Sequence, residues 1–180
     1  IEESVTLNDA LLKKSPSKEI SAVAANCYAS LGNYYHALGD RVQAKIAYEE
    51  ALEFAERGKF KERAVTVLGD LGNIAIEERL WDEAEKLLQE VRERAAKYYH
   101  HALPAALLRL GRLFNNQENP NRDSSKAFKF FHESLAVAQK DGWKREQADA
   151  LLELGQRAKA EAIYKKIGYQ RHVAQMKTPS

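Results

Sequence analysis

A short phrase recurs along this chain at a nearly constant interval. A leucine followed by a glycine stands in three places about 40 residues apart, each time with a large residue three positions before the leucine and a polar one after the glycine. The three glycines are Gly32, Gly72 and Gly111. A period of this length is typical of stacked units that bury their apolar faces only against their neighbours. The sequence therefore predicts an array of repeats.

Each phrase is followed by a second pattern, a small residue with a larger or apolar residue four positions later. Two positions with this spacing fall on one face of a helix. The small residue lets a neighbouring helix approach closely, and the large one fills the space beside it. The pairs are Ala44 with Tyr48, Ala84 with Leu88, and Ala127 with Phe131. Because turn residues such as Gly39-Asp40 separate the two patterns, each repeat is predicted to be helix, turn, helix.

Together the two patterns resemble the tetratricopeptide repeat over residues 26–134. The interval is longer than the usual unit of about 34 residues. Longer repeats with a Leu-Gly-Asn phrase are similar to a subclass found in kinesin light chains, spindle-orientation adaptors, and bacterial signalling ATPases and regulators. The resemblance implies an all-α fold, a right-handed superhelical solenoid of about four stacked antiparallel helix pairs.

The repeats are expected to fill residues 17–166. Their predicted bounds are about 17–58, 59–100, 101–141 and 142–166. The fourth repeat is indicated by Leu154-Gly155-Gln156-Arg157, which resembles Leu38-Gly39-Asp40-Arg41, although Ala148 stands where the other repeats have glycine. Residues 1–16 are interpreted as the remnant of a preceding repeat helix or a cap, and residues 167–180 as a C-terminal tail. Exposed ends of such an array are expected to allow self-association.

Composition argues against several classes of function. Hydrophobic residues make up 44% of the chain and charged residues 30%, with a net charge of +2. Basic and acidic residues are mixed throughout, which argues against nucleic acid as a partner. No apolar run approaches the roughly 18 residues of a membrane span. Cys27, the single cysteine, is expected to be a small packed residue. We therefore expect a cytoplasmic protein that does not bind membranes.

Patterns that indicate chemistry are lacking from the sequence. The five histidines do not form the His-x-x-x-His or Glu-x-x-His pairs of metal sites. The sequence has no glycine-rich phosphate loop, nucleophile elbow or paired-cysteine motif. We expect no enzymatic activity, no cofactor and no metal.

The polar residue after each repeated glycine is the main candidate for binding. These residues are Asn33, Asn73 and Arg112. In the resembling families the first helices line the concave groove and the asparagine at this place contacts peptides, which implies the same role for Asn33 and Asn73. An amide both donates and accepts hydrogen bonds, whereas Arg112 favours an acidic group. The alternative is that these are exposed polar residues without a ligand.

Neighbouring positions on the same helices extend this prediction. Ser30, Asp70 and Arg109 precede the three residues by one helical turn, and His36 follows Asn33 by one turn. Arg109 and Arg112 share a helix face, because they are three residues apart. This pair is the predicted anion-binding point.

These observations predict a protein–protein interaction scaffold that binds a peptide or partner protein, including one with acidic groups, in a groove lined by first helices. The alternative is a sensor segment of a larger bacterial signalling ATPase or transcriptional regulator that binds a small effector or peptide. Two further expectations concern packing. Tyr28, Leu31 and Tyr35 should point into the stack, and Phe130 should be exposed as a second contact.

Overall fold

Helices make up the secondary structure of residues 17–169, which are the residues that the computed structural model describes. In this range eight α-helices follow one another: α1 (Lys18–Ala37), α2 (Arg41–Arg57), α3 (Lys61–Glu77), α4 (Trp81–Tyr98), α5 (Leu103–Asn115), α6 (Ser124–Lys140), α7 (Lys144–Glu153) and α8 (Arg157–Lys166). A 3-10 turn at His100–Ala102 precedes α5. The predicted all-α class is confirmed. The proposed remnant in residues 1–16 and the tail from residue 170 onward lie outside the described residues.

Local chemistry explains where several helices begin. The side chains of Ser17, Asp40 and Asp123 each accept a hydrogen bond from the backbone N–H three residues later, at 3.3, 3.1 and 2.9 Å. Such caps satisfy N–H groups that have no partner within the helix. These three side chains therefore help to set where α1, α2 and α6 begin.

The short turns between helices share one backbone feature. The middle residue of the turn has a left-handed conformation, with φ of 80° at Gly39 and 72° at Gly155. Lys59 and Arg79 adopt the same conformation without being glycine, with φ of 59° and 61°. An L-residue with a side chain loses about 1–2 kcal/mol in this region. Short connections of this kind join antiparallel neighbours.

The chain divides into two compact units, Ile1–Ile74 and Ala75–Ser180. In the first unit α1 packs along α2. A core cluster joins Ala25, Phe54, Ala55 and Ala64, and the Tyr28 ring stacks on Phe54 with 5.7 Å between ring centroids. The cluster thus connects α1, α2 and the start of α3.

Gly32 sets how closely α1 and α2 approach. A Cβ atom at this position would lie 2.5 Å from Cδ1 of Tyr48, whose side chain is fully buried. The prediction that Leu31 points into the stack is wrong, because 39% of its surface is exposed. Tyr28 and Tyr35 are half-buried. The face of α1 that packs against α2 is therefore carried by small residues, while Leu31 lies on the outward side.

In the second unit the small-and-large pattern forms the core. Ala84, Leu88, Ala127 and Phe131 have no accessible surface, as predicted. A Cβ on Gly111 would overlap the Phe131 ring, as one on Gly32 would overlap Tyr48. A last cluster of Ala148, Leu151, Ala160 and Tyr164 closes the α7–α8 pair.

Opposite charges one repeat apart link neighbouring helix pairs in the second unit. The ion pairs are Arg79–Glu118 at 2.7 Å, Lys126–Glu85 at 3.1 Å, Arg92–Glu133 at 3.3 Å and Arg112–Glu153 at 2.6 Å. Each such partly exposed pair contributes at most about 1 kcal/mol. The set favours the observed register, because a shift of one helical turn would separate all four pairs.

Two packing predictions are corrected by the structure. Phe130 is buried, because its ring stacks on Phe114 at 5.9 Å and the Arg92 guanidinium covers it at 5.6 Å. The exposed aromatic on α6 is instead Phe128, with 47% of its surface accessible. Cys27 is also exposed, contrary to expectation.

Candidate functional site

The first unit carries five of the predicted binding residues on two helices. Ser30, Asn33 and His36 lie on α1, and Asp70 and Asn73 lie on α3. Ser30 and Asn33 are exposed, and the other three are half-buried. All five therefore retain accessible surface.

A hydrogen bond across the first helix pair fixes the Asn33 side chain. The Tyr48 hydroxyl on α2 donates to Asn33 Oδ1 at 2.8 Å. Because the carbonyl oxygen of the amide is engaged, the Nδ2 group is the donor that Asn33 can offer a ligand. The bond also holds the side chain in one orientation, which lowers the entropy lost when a ligand binds.

Asn73 occupies the same place in the second repeat. The residue that corresponds to Tyr48 in this repeat is Leu88, which has no hydroxyl. The Asn33–Tyr48 bond is therefore not repeated at Asn73, and the two asparagines differ in how they are positioned.

In the second unit the predicted anion-binding pair meets an acidic neighbour. Arg109 is half-buried and Arg112 is exposed on α5. Nε of Arg112 donates to Oε1 of Glu153 on α7 at 2.6 Å. The Glu153 carboxylate thus occupies a position that an acidic ligand of Arg112 would need. The pair leaves Arg112 more than half exposed, so the guanidinium remains accessible.

Asp149 is a candidate that sequence analysis missed. It occupies in the fourth repeat the place of Asn33 in the first, and the Tyr164 hydroxyl donates to its Oδ1 atom just as Tyr48 donates to Asn33. Nε of Arg145 lies 3.9 Å from Oδ2 of Asp149. The sequence contained the information needed to find this residue. When Leu154-Gly155 is aligned with Leu38-Gly39, Asp149 aligns with Asn33.

Burial and the bond to Asp149 change the acidity of Tyr164. Burial raises its pKa above the ordinary value of 10.0, and the hydrogen bond to Asp149 raises it further. Nearby Arg145 and Arg112 act in the opposite direction with smaller effect. Tyr164 is therefore a neutral hydrogen-bond donor that holds the Asp149 carboxylate in place.

Two histidines lie in an aromatic cluster where α4 ends and α7 begins. The His101 ring meets the Trp143 ring edge to face at 4.8 Å, and Nε2 of His100 lies 3.1 Å from Oδ2 of Asp141. Within residues 17–169, no three His, Cys, Asp or Glu side chains are grouped so that they could hold a metal. This cluster packs helix ends together.

Among residues 17–169, none of the helices has both the length and the apolar character to cross a bilayer.

Solved structures with a similar fold are repeat proteins. A Podosopora anserina putative kinesin light chain with nearly identical TPR-like repeats has a TM-score of 0.52, covering 99% of this chain and 89% of that chain at 19% identity. A substituted form of the same protein has a TM-score of 0.54, with 97% and 88% covered at 19% identity. The N-terminal domain of stress-induced protein-1 (STI-1) from C. elegans has a TM-score of 0.53, with 65% and 86% covered at 22% identity.

These similarities confirm the predicted tetratricopeptide-like helical repeat fold. At identities of 19–22% they concern the fold alone. No protein-family model matches the sequence, and no curated protein does.

Proposed function

We propose that this chain is a non-enzymatic interaction module that binds a peptide segment of a partner protein through the polar residues of its first helices. One observation supports the proposal above the others. The position after the recurring glycine, or after Ala148 in the fourth repeat, is polar in all four repeats, as Asn33, Asn73, Arg112 and Asp149, and all four side chains keep accessible surface. Beyond their contacts within the chain, these side chains present hydrogen-bonding and charged groups at accessible surface, where a ligand can reach them.

The first unit supplies amide groups for a peptide backbone. Asn33 is held by Tyr48 and offers an N–H donor, and Asn73 can offer both a donor and an acceptor. An extended peptide presents alternating N–H and C=O groups that such side chains can satisfy. Ser30, His36 and Asp70 lie one turn away and can contact the peptide's side chains.

The second unit supplies paired charges. Arg112 is joined to Glu153 at 2.6 Å, and Arg145 lies near Asp149. An acidic group on the partner can replace Glu153 at the Arg112 guanidinium, with Arg109 contributing positive charge from the same helix. Exchange of one carboxylate for another has little net electrostatic cost, which suits a weak and reversible contact.

The test uses peptides selected on the intact chain from a random library and measured by calorimetry. The Asn33→Ala/Asn73→Ala/Arg112→Ala variant should bind them at least tenfold more weakly, a loss of about 1.4 kcal/mol. The Glu153→Gln variant should bind acidic peptides more tightly, because it removes the competing carboxylate from Arg112.

A matched control changes exposed charges on second helices. Lys86→Ala/Lys129→Ala alters α4 and α6 and should leave affinity unchanged. Circular dichroism would establish that each variant is folded. The proposal fails if the triple variant and the control bind alike.

The alternative sensor role in a larger regulator stays a prediction, as does the cytoplasm as its compartment. The single cysteine is compatible with a reducing environment.

A further inference from the structure

The carboxylate of Asp149 is held at the edge of two stacked tyrosine rings in the second unit. The ring of Tyr169, just after α8, stacks on that of Tyr164, with 6.2 Å between the ring centroids and 20° between the ring planes. Tyr164 has no accessible surface, so the stack is anchored in the core of the α7–α8 pair. Because the Tyr164 hydroxyl donates to Oδ1 of Asp149, the carboxylate keeps a fixed position beside the rings.

Arg145 places its guanidinium near both the carboxylate and the outer ring. Its Cζ atom lies 5.5 Å from the centre of the Tyr169 ring, and its Nε atom lies 3.9 Å from Oδ2 of Asp149. A carboxylate and the face of an aromatic ring both attract organic cations. The protein thus holds one of its own cations at a place whose chemistry suits a cation.

The contact between Arg145 and Asp149 is looser than comparable contacts in the chain. A distance of 3.9 Å exceeds the range of an N–H···O hydrogen bond, which is about 2.7–3.2 Å. Other ion pairs four residues apart on one helix have the acidic residue first and shorter distances: Glu53–Arg57 at 2.6 Å, Glu90–Arg94 at 2.7 Å and Glu161–Lys165 at 2.7 Å. In the Arg145–Asp149 pair the basic residue comes first, an order that stabilises a helix less.

Arg145 can therefore leave Asp149 at little cost. Its side chain is 54% exposed, so the guanidinium is already largely hydrated. The Asp149 side chain, by contrast, is only 24% exposed. Partial burial reduces screening by water, so a cation that binds Oδ2 closely gains more there than at a fully exposed carboxylate.

The first and fourth repeats offer opposite groups to a partner. The tyrosine hydroxyl engages Oδ1 in both, which leaves Asn33 an amide N–H donor and leaves Asp149 a charged acceptor, Oδ2. The chemistry at Asp149 therefore favours a positively charged donor.

From the fixed carboxylate, the stacked rings and the loosely held guanidinium, we propose that Asp149 and Tyr169 form a binding site for a basic side chain of the partner peptide, which displaces Arg145. This inference rests on the proposed function, and it adds a basic residue to the acidic group expected at Arg112. Exchange of one cation for another leaves the charge at Asp149 balanced, which again suits a reversible contact.

The test uses peptides with acetylated N-termini, selected from a random library on the intact chain, so that their positive charge comes from side chains alone. The selected peptides should share a lysine or arginine at one position. Its replacement by glutamine should weaken binding about tenfold by calorimetry, the combined effect of an ion pair and a cation–π contact at a partly exposed site. Asp149→Asn should remove most of this tenfold difference, because it removes the charge and keeps an oxygen for the Tyr164 hydroxyl.

Two further variants support the measurement. Arg145→Ala should bind the basic peptides about threefold more tightly, because it removes the competing cation. Glu93→Gln, which removes an exposed carboxylate from α4 of the same unit, is the matched control and should leave the tenfold difference unchanged. Circular dichroism would establish that each variant is folded.

The outcomes separate this inference from the proposed function. Selected peptides without a shared basic residue would overturn the cation site and leave peptide binding in place. The same holds if the basic residue matters equally to the unaltered protein and to Asp149→Asn. If no peptide is selected at all, the proposed function fails and the cation site fails with it.

Discussion

The Tyr48 hydroxyl donates to Asn33 Oδ1 at 2.8 Å, and the Tyr164 hydroxyl donates to Asp149 Oδ1 in the same way in the fourth repeat. Each bond runs from the second helix of a pair to the residue that follows the glycine position of the first helix. Repeat-equivalent residues therefore orient the candidate binding side chains in the first and the fourth repeats. In the two middle repeats Leu88 and Phe131 take the place of the tyrosine. Neither has a hydroxyl, so this hydrogen bond cannot form there.

The Asn33–Tyr48 bond should contribute measurably to stability. Asn33→Ala and Tyr48→Phe are each expected to lower the free energy of unfolding by about 0.5–1.5 kcal/mol, the usual net value of such a bond. The double variant should lose scarcely more than either single one, because both remove the same interaction. Urea unfolding of the four proteins measures the coupling. Additive losses would mean that the bond contributes nothing in solution.

Gly111 should tolerate alanine poorly. The added Cβ would overlap the ring of Phe131, which is fully buried and cannot move aside without disturbing the core. Overpacking costs about 1–3 kcal/mol, and the gain of about 1 kcal/mol in helix propensity offsets only part of it. Thermal unfolding should show a lower midpoint for Gly111→Ala.

The control for this prediction is Gly111→Ala/Phe131→Leu, in which the smaller side chain makes room for the methyl group. The stability lost by this double variant should be smaller than the sum of the losses measured for the single variants Phe131→Leu and Gly111→Ala. An unchanged midpoint for Gly111→Ala would show that the ring can move, and the fourth repeat does accommodate Ala148 beside Tyr164.

Tyr164 should make the protein sensitive to alkaline pH. Its pKa in the folded protein lies above the ordinary value of 10.0, so the unfolded chain loses this proton first as the pH rises. The contribution of Tyr164 to the free energy of unfolding is therefore fully present below about pH 10 and is lost as the pH rises further. Where the unfolded chain binds one proton fewer than the folded protein, the free energy of unfolding falls by about 1.4 kcal/mol per pH unit. Partial solvation of the hydroxyl should keep the slope below that limit.

Denaturant unfolding at neutral and alkaline pH measures this effect. Tyr164→Phe should flatten the alkaline decline, although it lowers stability at neutral pH by removing the bond to Asp149. Tyr34→Phe, at an exposed tyrosine, serves as the control and should decline like the unaltered protein. Equal slopes in all three proteins would contradict the role assigned to Tyr164.

Lys126 should stabilise the second unit through two contacts. Its ammonium group lies 3.6 Å from the centre of the Phe114 ring and 3.1 Å from Oε1 of Glu85. Lys126→Met keeps the apolar stem and removes the charge, and should cost about 0.5–1 kcal/mol at this partly exposed site. Lys129→Met, on an exposed part of the same helix, should cost nothing. Equal free energies of unfolding for the two variants, measured with a chemical denaturant, would exclude a specific contribution from Lys126.

Repetition in the sequence was sufficient to determine the fold class and most of the buried pattern. Ala44, Tyr48, Ala84 and Leu88 follow a periodic rule, and each repeat obeys the same local chemistry of caps, turns and helix faces. The recurring glycines marked the repeats in the sequence, and the structure shows the role of Gly32 and Gly111, where a Cβ atom would overlap Tyr48 or Phe131. These features depend on neighbours along the chain or one repeat away.

Other features were decided only by tertiary packing. Whether Phe128 or Phe130 is exposed depends on the angle of α6 against α5, which brings Phe114 under Phe130. The partner of Arg112 depends on where Glu153 of α7 comes to lie, and many carboxylates in the sequence could have filled that place. Leu31 and Cys27 face outward because small residues, Ala25, Ala29 and Gly32, form the packed side of α1. Periodicity identifies the stripes on a helix, but only contact with other helices decides which stripe is buried.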